Sequence, residues 1–335
     1  MTLLKKSRAS AIALLYGSGA LRYLHWGDGK RLIVFNYHRI RPDGAFSTRF
    51  NDELFGPTAS VFERQVTWLR NNTQVLSEDD LLYLIRSGKA PPGPSSLITF
   101  DDGYRDNYTL GYPVLRHLGI RAIFFVTLDF IDQRRVGWWD LIAYAAKNSP
   151  RADLEFEGKK YSRAERERLV HSLLRRIKTE PASRTATLPM ELADACGTPL
   201  PTRGEQDHEL MTWEEIREMH SGGMSIGSHT CSHPVLSRIP AEEQWRELAD
   251  SKAGLEARIG APVRSLAYPV GEPADFTEET CRLARKAGYE AAFSFATGTN
   301  RWPIRDRFRI ARVSAPHQMS QFLAKTRLPA IFAIR

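Results

Sequence analysis

The segment LITFDDGYRDNY, residues 97–108, carries a short apolar run that ends in two adjacent carboxylates, Asp101 and Asp102, followed by a glycine. The continuous hydrophobicity of SLITF, residues 96–100, is typical of a strand that is buried on both faces of a parallel sheet. Adjacent like charges at the end of a buried strand repel each other and lose hydration, so another group must compensate them. The segment therefore predicts a buried parallel strand with a metal ion at its carboxyl end.

Five further apolar runs share this pattern and alternate with helical segments. They are RLIVFNYH at 31–38, RAIFFVT at 121–127, MSIGSH at 224–229, SLAYP at 265–269 and AAFSF at 291–295. The segment 240–259 carries apolar residues at helical spacing between Pro240 and Gly260, which predicts a crossover helix. The chain is therefore expected to form an α/β fold with a parallel sheet.

Composition limits the class of protein. With 335 residues, of which 42% are hydrophobic, the chain can bury a full core. The formal net charge is +8, but the basic residues are spread among acidic ones, so we expect no nucleic-acid partner. A basic surface that meets anionic lipid or glycan is the remaining interpretation. Three scattered cysteines, Cys196, Cys231 and Cys281, form no C-x-x-C pair and indicate no disulfide framework.

The N-terminal segment offers two interpretations. Basic residues precede a short apolar run, but Gly17 and Gly19 interrupt it and no small-residue cleavage site follows. An amphipathic helix on a membrane surface and a helix that covers the barrel end are equally open, and no run reaches the roughly 20 apolar residues of a spanning helix. We expect a cytoplasmic protein, or a peripheral one on the inner membrane face that uses its basic terminal segments.

A second pair of chemical side chains follows another predicted strand. SHTCSHP, residues 228–234, places His229 and His233 four residues apart. The carboxyl ends of parallel strands meet at one end of a barrel, so these imidazoles are expected near Asp101 and Asp102. Two imidazoles and one carboxylate leave positions for water and substrate, as a catalytic metal site requires. The second carboxylate would act as a general base, and the residues alone leave open which aspartate has which role.

The two motifs together resemble a known family. TFDDG at 99–103 and SHTCSHP at 228–234 are similar to the first two motifs of the polysaccharide deacetylase family, the NodB-homology domain, and the similarity extends over about residues 31–314. The resemblance implies a distorted (β/α) barrel, a divalent metal that is usually zinc, and hydrolytic removal of acetyl groups from amino sugars. It assigns Asp101 as the base and the metal ligands as Asp102, His229 and His233.

The later motifs depart from the better-known members, which carry an arginine directly before the sequence that is YPVG here. This chain has Ala267 there, and LAYPVGEP resembles a branch with an FAYPYG-like motif. The arginine that pairs with the catalytic aspartate is therefore expected elsewhere, and Arg309 and Arg312 are the candidates. We retain Arg312 in the catalytic set and expect Arg264 on the surface.

The resemblance also implies a general acid and an oxyanion donor. RIARVSAP lacks the late histidine of well-known members, so His38 is the first candidate for the acid and His317 the second. The alternative role for His38 is to orient Asp102 or the metal shell. The Val270 N–H is expected to hold the oxyanion. The predicted substrate contacts also include Tyr268 and Trp139, although paired tryptophans at a helix start are more often packing residues.

The segment from about 150 to 208 departs from the alternation of strands and helices. A capping-box pair, Ser162 and Glu165, precedes an apolar helical stripe that Pro181 closes. We interpret this segment as a helical insertion in the barrel. The expected organisation is an N-terminal helical extension at 1–30, the barrel at 31–314 and a basic C-terminal tail at 315–335.

The leading functional prediction is a metal-dependent hydrolase that removes an acetyl group, N-linked by preference, from a polysaccharide, oligosaccharide or glycolipid intermediate. One alternative hydrolyses a small cyclic amide or imide on the same fold, and another is a catalytically inactive barrel that binds glycans. A non-haem iron oxygenase shares the ligand set but has no use for a second aspartate.

Overall fold

The computed structural model describes residues 30–327 of the chain. Its strands are β1 Arg31–Tyr37, β2 Arg39–Arg41, β3 Phe55–Thr58, β4 Gln74–Val75, β5 Ser95–Phe100, β6 Ile123–Val126, β7 Asp153–Phe156, β8 Lys159–Ser162, β9 Ser225–Ser228, β10 Ser265–Ala267, β11 Ala291–Ser294, β12 Asn300–Arg301, β13 Ile310–Ala311 and β14 Val313–Ser314. Its α-helices are α1 Ala59–Asn72, α2 Glu78–Ser87, α3 Tyr112–His117, α4 Leu128–Gln133, α5 Trp138–Lys147, α6 Arg166–Arg176, α7 Arg184–Cys196, α8 Arg203–Asp207, α9 Trp213–Ser221, α10 Ala241–Ile259, α11 Glu278–Lys286 and α12 Met319–Arg327.

The main sheet is a nearly closed barrel. Its strand order is β12-β1-β5-β6-β9-β10-β11-β13, with β14 paired to β1 and β4 paired to β5. Every pair from β1 through β13 in this order is parallel, and only β12 runs antiparallel to β1. β13 and β14 are separated by the single residue Arg312, and they pair with β11 and β1 respectively. This segment therefore joins the two ends of the sheet.

The six sequence-predicted strands are confirmed as β1, β5, β6, β9, β10 and β11, and the α/β barrel expectation is confirmed with them. The reason is burial on both faces. All six residues of β5 and all four of β6 and β11 are buried, so their side chains have no solvated face that would require alternation. The crossover prediction is also confirmed, since α10 begins after Pro240 and ends at a left-handed Gly260.

The segment between α5 and α9 interrupts the alternation of strands and helices. β7 and β8 form an antiparallel hairpin, followed by α6, α7 and α8. The capping box of Ser162 and Glu165 is present, and the apolar stripe of α6 is buried. The helical register of α6 extends through a 3-10 turn at Ile177–Thr179 before Pro181. This segment contributes one wall of the cavity described below.

The chain ends are only partly described. The N-terminal extension lies outside the described residues, apart from Lys30. Within the predicted C-terminal tail, α12 packs on the barrel through Phe322, whose ring stacks on that of Phe35 with a centroid distance of 4.6 Å and touches Trp68. Between residues 30 and 327, no helix combines the length and apolarity that crossing a bilayer demands.

Candidate active site and metal centre

The site is a cavity of about 680 Å³ at the carboxyl ends of the barrel strands. His38 directly follows β1, Asp101 and Asp102 follow β5, and His229 follows β9. His233 lies four residues further along the loop that leaves β9. All five line the cavity, so the parallel barrel brings together residues that are far apart in sequence.

Asp102, His229 and His233 form a compact buried cluster. One ligand atom of each lies within 4.8 Å of the others. The Nε2 atoms of His229 and His233 are both 3.6 Å from the Oδ1 atom of Asp102. The Nδ1–H of His229 donates to the Ala267 carbonyl at 2.8 Å, which leaves its Nε2 lone pair facing the cluster.

The donors of this cluster fit a divalent cation. Asp102 Oδ1 is buried and has no hydrogen-bond partner among the described residues. Burial first, and the charge of Asp101 second, raise the pKa of Asp102 well above its usual value. Burial likewise lowers the pKa of His229 and His233, so both imidazoles are neutral and able to coordinate a metal. A bound cation would compensate the buried carboxylate that the protein leaves without a partner.

Asp101 has a different environment from Asp102. Arg312 Nη1 donates to its Oδ1 at 2.7 Å, and Asn36 Nδ2 donates to its Oδ2 at 3.0 Å. Burial alone would raise the pKa of Asp101, but the Arg312 charge outweighs it and holds the pKa below its usual value. Arg312 is itself fully buried and also donates to Asn36 Oδ1 at 3.0 Å. Asp101 is therefore an oriented, ionised carboxylate beside the cluster.

His38 lies on the open side of Asp101. Its Nε2 is 4.0 Å from Asp101 Oδ2, and its side chain remains 29% exposed to the cavity. Burial lowers the pKa of His38 to about 4, so the imidazole is neutral at neutral pH. Its contact is with Asp101, and the described residues show no hydrogen bond from His38 to Asp102.

The turn after β10 places Val270 at the cavity. Val270 lines the cavity, and no acceptor within residues 30–327 is hydrogen-bonded to its N–H. Tyr268, two residues earlier, is placed differently. Its side chain is fully buried, stacks on Phe276 and donates to the Phe308 carbonyl at 3.0 Å. The structure thus puts Val270 at the cavity wall and the Tyr268 side chain in the core.

Trp139 touches both the cavity and a metal-ligand candidate. Its ring packs edge-on against His233 with a centroid distance of 4.6 Å. Its Nε1–H donates to the Tyr104 hydroxyl at 2.7 Å, and that hydroxyl donates to Asp140 Oδ2 at 2.5 Å. The ring is only 6% exposed. Trp139 therefore supports the position of His233 and offers the cavity little surface for stacking.

The remaining candidates lie outside the cavity. Arg309 is exposed to solvent and pairs with Glu278, and Arg264 pairs with Glu78 and Asp79. His317 is exposed on the loop before α12. The sequence analysis missed Asn36, which joins Asp101 to Arg312. A lone amide inside the apolar run RLIVFNYH was the available signal, because a buried polar side chain requires partners.

Comparisons with known proteins match the chain to a family. The family model described as polysaccharide deacetylase matches residues 88–292. The chain is 26% identical over 238 residues to YxkH of Bacillus subtilis, which is named after this family, and the match covers 71% of this chain and 58% of YxkH. A poly-beta-1,6-N-acetyl-D-glucosamine N-deacetylase of Staphylococcus aureus is 28% identical over 119 residues, which cover 33% of this chain and 41% of that enzyme. The chain thus matches about half the length of these relatives.

Solved structures share the fold. Streptococcus pyogenes deacetylase PplD superposes with a TM-score of 0.59 at 17% identity, covering 89% of this chain and 99% of PplD. IcaB from Ammonifex degensii superposes with a TM-score of 0.53 at 20% identity, covering 89% of this chain and 97% of IcaB. Since the family model also spans more than half of the sequence, the chain belongs to the polysaccharide deacetylase family.

Proposed function

We propose that this protein is a divalent-metal-dependent hydrolase that removes an N-linked acetyl group from a polysaccharide, oligosaccharide or glycolipid. The observation that carries the proposal is the orphaned Asp102 Oδ1 between two neutral imidazoles, beside the ionised pair of Asp101 and Arg312. The names of the two relatives above agree with a glycan substrate.

Asp102, His229 and His233 would hold the cation, for which we propose zinc. Imidazole and carboxylate together suit zinc, and three protein ligands leave coordination positions for reactants. A bound divalent cation would supply Lewis-acid polarisation of the acetyl carbonyl and would lower the pKa of a coordinated water.

Asp101 is the proposed general base. It remains ionised at neutral pH because Arg312 holds its pKa down, and the bonds from Arg312 and Asn36 fix its orientation. It would accept a proton from the water that adds to the acetyl carbon. The Val270 N–H, which has no acceptor among residues 30–327, would donate to the carbonyl oxygen as negative charge develops there.

His38 is the proposed general acid. Breaking the carbon–nitrogen bond requires a proton on the departing nitrogen, because an amide anion is a poor leaving group. His38 lies beside Asp101 on the cavity wall, with its ring partly exposed. Because its resting pKa is about 4, His38 would take up the proton that Asp101 removes from the water, across the 4.0 Å between His38 Nε2 and Asp101 Oδ2, and pass it to the departing nitrogen. The products would be acetate and a free amine.

The organisation and location of the protein remain proposals of the same kind. We propose a barrel at 31–314 with an insertion at about 150–208, flanked by terminal segments 1–30 and 315–335. We also propose that the protein works in the cytoplasm or on the inner membrane face, with its basic terminal segments as the membrane contacts.

The test combines metal content with acetate release. We expect the purified chain to contain about one zinc per molecule, to release acetate from N-acetylglucosamine oligomers, and to lose this activity on chelation and regain it with zinc. His233→Ala should remove most of the metal, because water does not replace a lost protein ligand without a large loss of affinity. His117→Ala, an exposed histidine outside the cavity, is the matched control. Full metal content in the His233 variant would contradict the assignment.

A further inference from the structure

A stripe of basic side chains overhangs the active-site cavity. Arg168, His171, Arg175 and Lys178 all line the cavity. Their spacings of three, four and three residues place them on one face of α6 and of the 3-10 turn that continues it. The opposite face carries buried side chains such as Leu169 and Leu173, which pack into the core. Because the apolar face of α6 is buried, its basic face is held toward the cavity.

Two of these basic side chains form no ion pair within the described part of the chain. His171 is matched by Glu53, with Nδ1 and Oε1 2.8 Å apart. Arg168 is largely exposed and lies 3.8 Å from Glu165. Arg175 donates only to the His171 carbonyl, and neither Arg175 nor Lys178 forms an ion pair with a carboxylate among residues 30–327. The neighbouring Arg176 differs, because it points away from the cavity and pairs with Glu157 and Glu180.

Four acidic residues also line the cavity, and none of them forms an ion pair with Arg175 or Lys178 within residues 30–327. Glu53 is already paired with His171, and Asp101 is paired with Arg312. Glu272 is the remaining acidic residue on the wall apart from Asp102 of the metal cluster. Arg175 and Lys178 therefore lie on the cavity wall without an ion-pair partner among residues 30–327.

We propose that Arg175 and Lys178 form a subsite for an anionic group, carboxylate or phosphate, carried by the glycan close to the acetylated sugar. The inference rests on the proposed deacetylase function and names the substrate class of the same site. An arginine offers a planar fork and a lysine a compact charge, and both chemistries bind sugar carboxylates and phosphates. The C-terminal position of the pair on its helix also favours cations, because the helix macrodipole is negative there.

The test compares matched neutral and anionic substrates. The carboxylate arm uses an N-acetylglucosamine trisaccharide against a trisaccharide of the same length in which glucuronate flanks N-acetylglucosamine. The phosphate arm uses N-acetylglucosamine 1-phosphate against the neutral methyl glycoside. The full chain, Arg175→Gln/Lys178→Gln and the control Lys160→Gln/Arg163→Gln are compared in each arm. The control removes the same charge from exposed positions of the same insertion outside the cavity.

We expect the ratio of kcat/KM for anionic over neutral substrate to exceed one in the wild type. The ratio should fall about tenfold in Arg175→Gln/Lys178→Gln and stay constant in the control, since two partly solvated charge pairs are lost. About 0.5 M salt should shrink the wild-type ratio by screening. The arm that shows the fall identifies the anion. Equal ratios in the wild type and the variant in both arms would overturn the proposal.

A second readout separates this inference from the function on which it rests. Equilibrium binding of the same four compounds is measured on Asp101→Asn protein with and without the double substitution. If no glycan releases acetate, the deacetylase function fails, and binding alone then decides the subsite. An anion preference that disappears with Arg175→Gln/Lys178→Gln supports the subsite, whereas equal affinities for anionic and neutral compounds reject it.

Discussion

Three residues that meet at the site adopt left-handed backbone conformations. The φ angles are 76° for Asp102, 63° for His233 and 59° for Val270. Side chains with a Cβ rarely occupy this region, and a β-branched valine is particularly disfavoured there. Such conformations persist only where the surrounding structure enforces them, and they concentrate at functional sites. The strain therefore marks the same three places that the chemistry of the site selects.

The two aspartates should respond differently to amide substitution. Asp101→Asn should keep the bound metal and the fold, while acetate release falls about a hundredfold or more, the usual scale for loss of a general base. Metal content by elemental analysis and acetate release are the two measurements. Asp102→Asn is the matched control, and it should lose metal as well as activity. Loss of metal from the Asp101 variant would show that the two roles have been exchanged.

Substitution of His38 should slow hydrolysis only when the leaving group needs a proton to depart. His38→Ala should slow hydrolysis of an N-acetyl sugar by about a hundredfold, whereas hydrolysis of an aryl acetate should change little, because a phenolate departs without protonation. Rates with both substrates are measured at equal metal content. Equal losses with the amide and the ester would exclude the acid role and favour a role in orienting Asp101.

At the scale of elements, the start of α5 ties the outer wall of the site to the barrel. Asp140 is fully buried in the first turn of this helix. It accepts the Tyr104 hydroxyl and, at 3.0 Å, the Asn51 N–H. The Tyr104 hydroxyl in turn accepts a hydrogen bond from the Trp139 N–H, and the Trp139 ring packs on His233. The helix thus positions a metal-ligand candidate through a chain of buried polar contacts.

The buried carboxyl group of Asp140 in this series of contacts predicts that stability depends on pH. Burial, the largest influence, raises the pKa of Asp140 from 3.8 to about 6 in the folded protein. Because the pKa of Asp140 is higher in the folded than in the unfolded protein, its protonated carboxyl group contributes fully to stability at pH values below the pKa of the unfolded state. This contribution is lost as pH rises through the pKa of the folded state. Between about pH 4 and pH 7 the free energy of unfolding of the wild type should fall by roughly 2 kcal/mol relative to Asp140→Asn. Chemical denaturation at several pH values measures the difference, and parallel curves for the two proteins would contradict it.

At the scale of the whole molecule, closure of the barrel organises the site. β13 and β14 join the two ends of the sheet, and the residue between them, Arg312, carries its guanidinium into the barrel to Asp101. α12 follows and packs on β1, the partner of β14, through Phe322, and Lys325 Nζ donates to the Ser314 carbonyl of β14 at 2.7 Å. The end of the described chain is therefore part of the core and also supplies a polar partner of the site.

The packing of α12 on the barrel should contribute measurably to the free energy of unfolding. Phe322→Ala should lower the free energy of unfolding by about 3 kcal/mol or more, because it leaves a cavity against Phe35. Leu323→Ala, at a half-buried neighbour, should cost clearly less. Denaturant unfolding of both variants tests this, and a Phe322 variant as stable as the wild type would show that the helix does not contribute to the barrel in solution.

Much of the barrel could be read from the sequence because its strands are buried on both faces. Continuous apolar runs of four to seven residues have few alternatives in an α/β protein, so six strands and the crossover helix were predicted within a few residues. The chemical residues of the site follow these strands directly. Since parallel strands all present their carboxyl ends to the same side, Asp101, Asp102 and His229 could be placed together without knowledge of the packing. Their roles stay predictions until they are measured.

Other features depended on contacts between distant segments. The sequence gives no reason to prefer Arg309 or Arg312 as the partner of Asp101. Only the pairing of β13 and β14 with opposite ends of the sheet turns Arg312 inward. Tyr268 lies two residues before Val270 of the cavity wall in sequence, yet its ring faces the core. Arg175 and Lys178 reach the cavity only because the apolar face of α6 docks against α5. The sequence by itself determined the strands and the residues at their ends, because both depend on local burial. The tertiary structure alone decided which distant side chains complete the site, because that depends on how the elements pack.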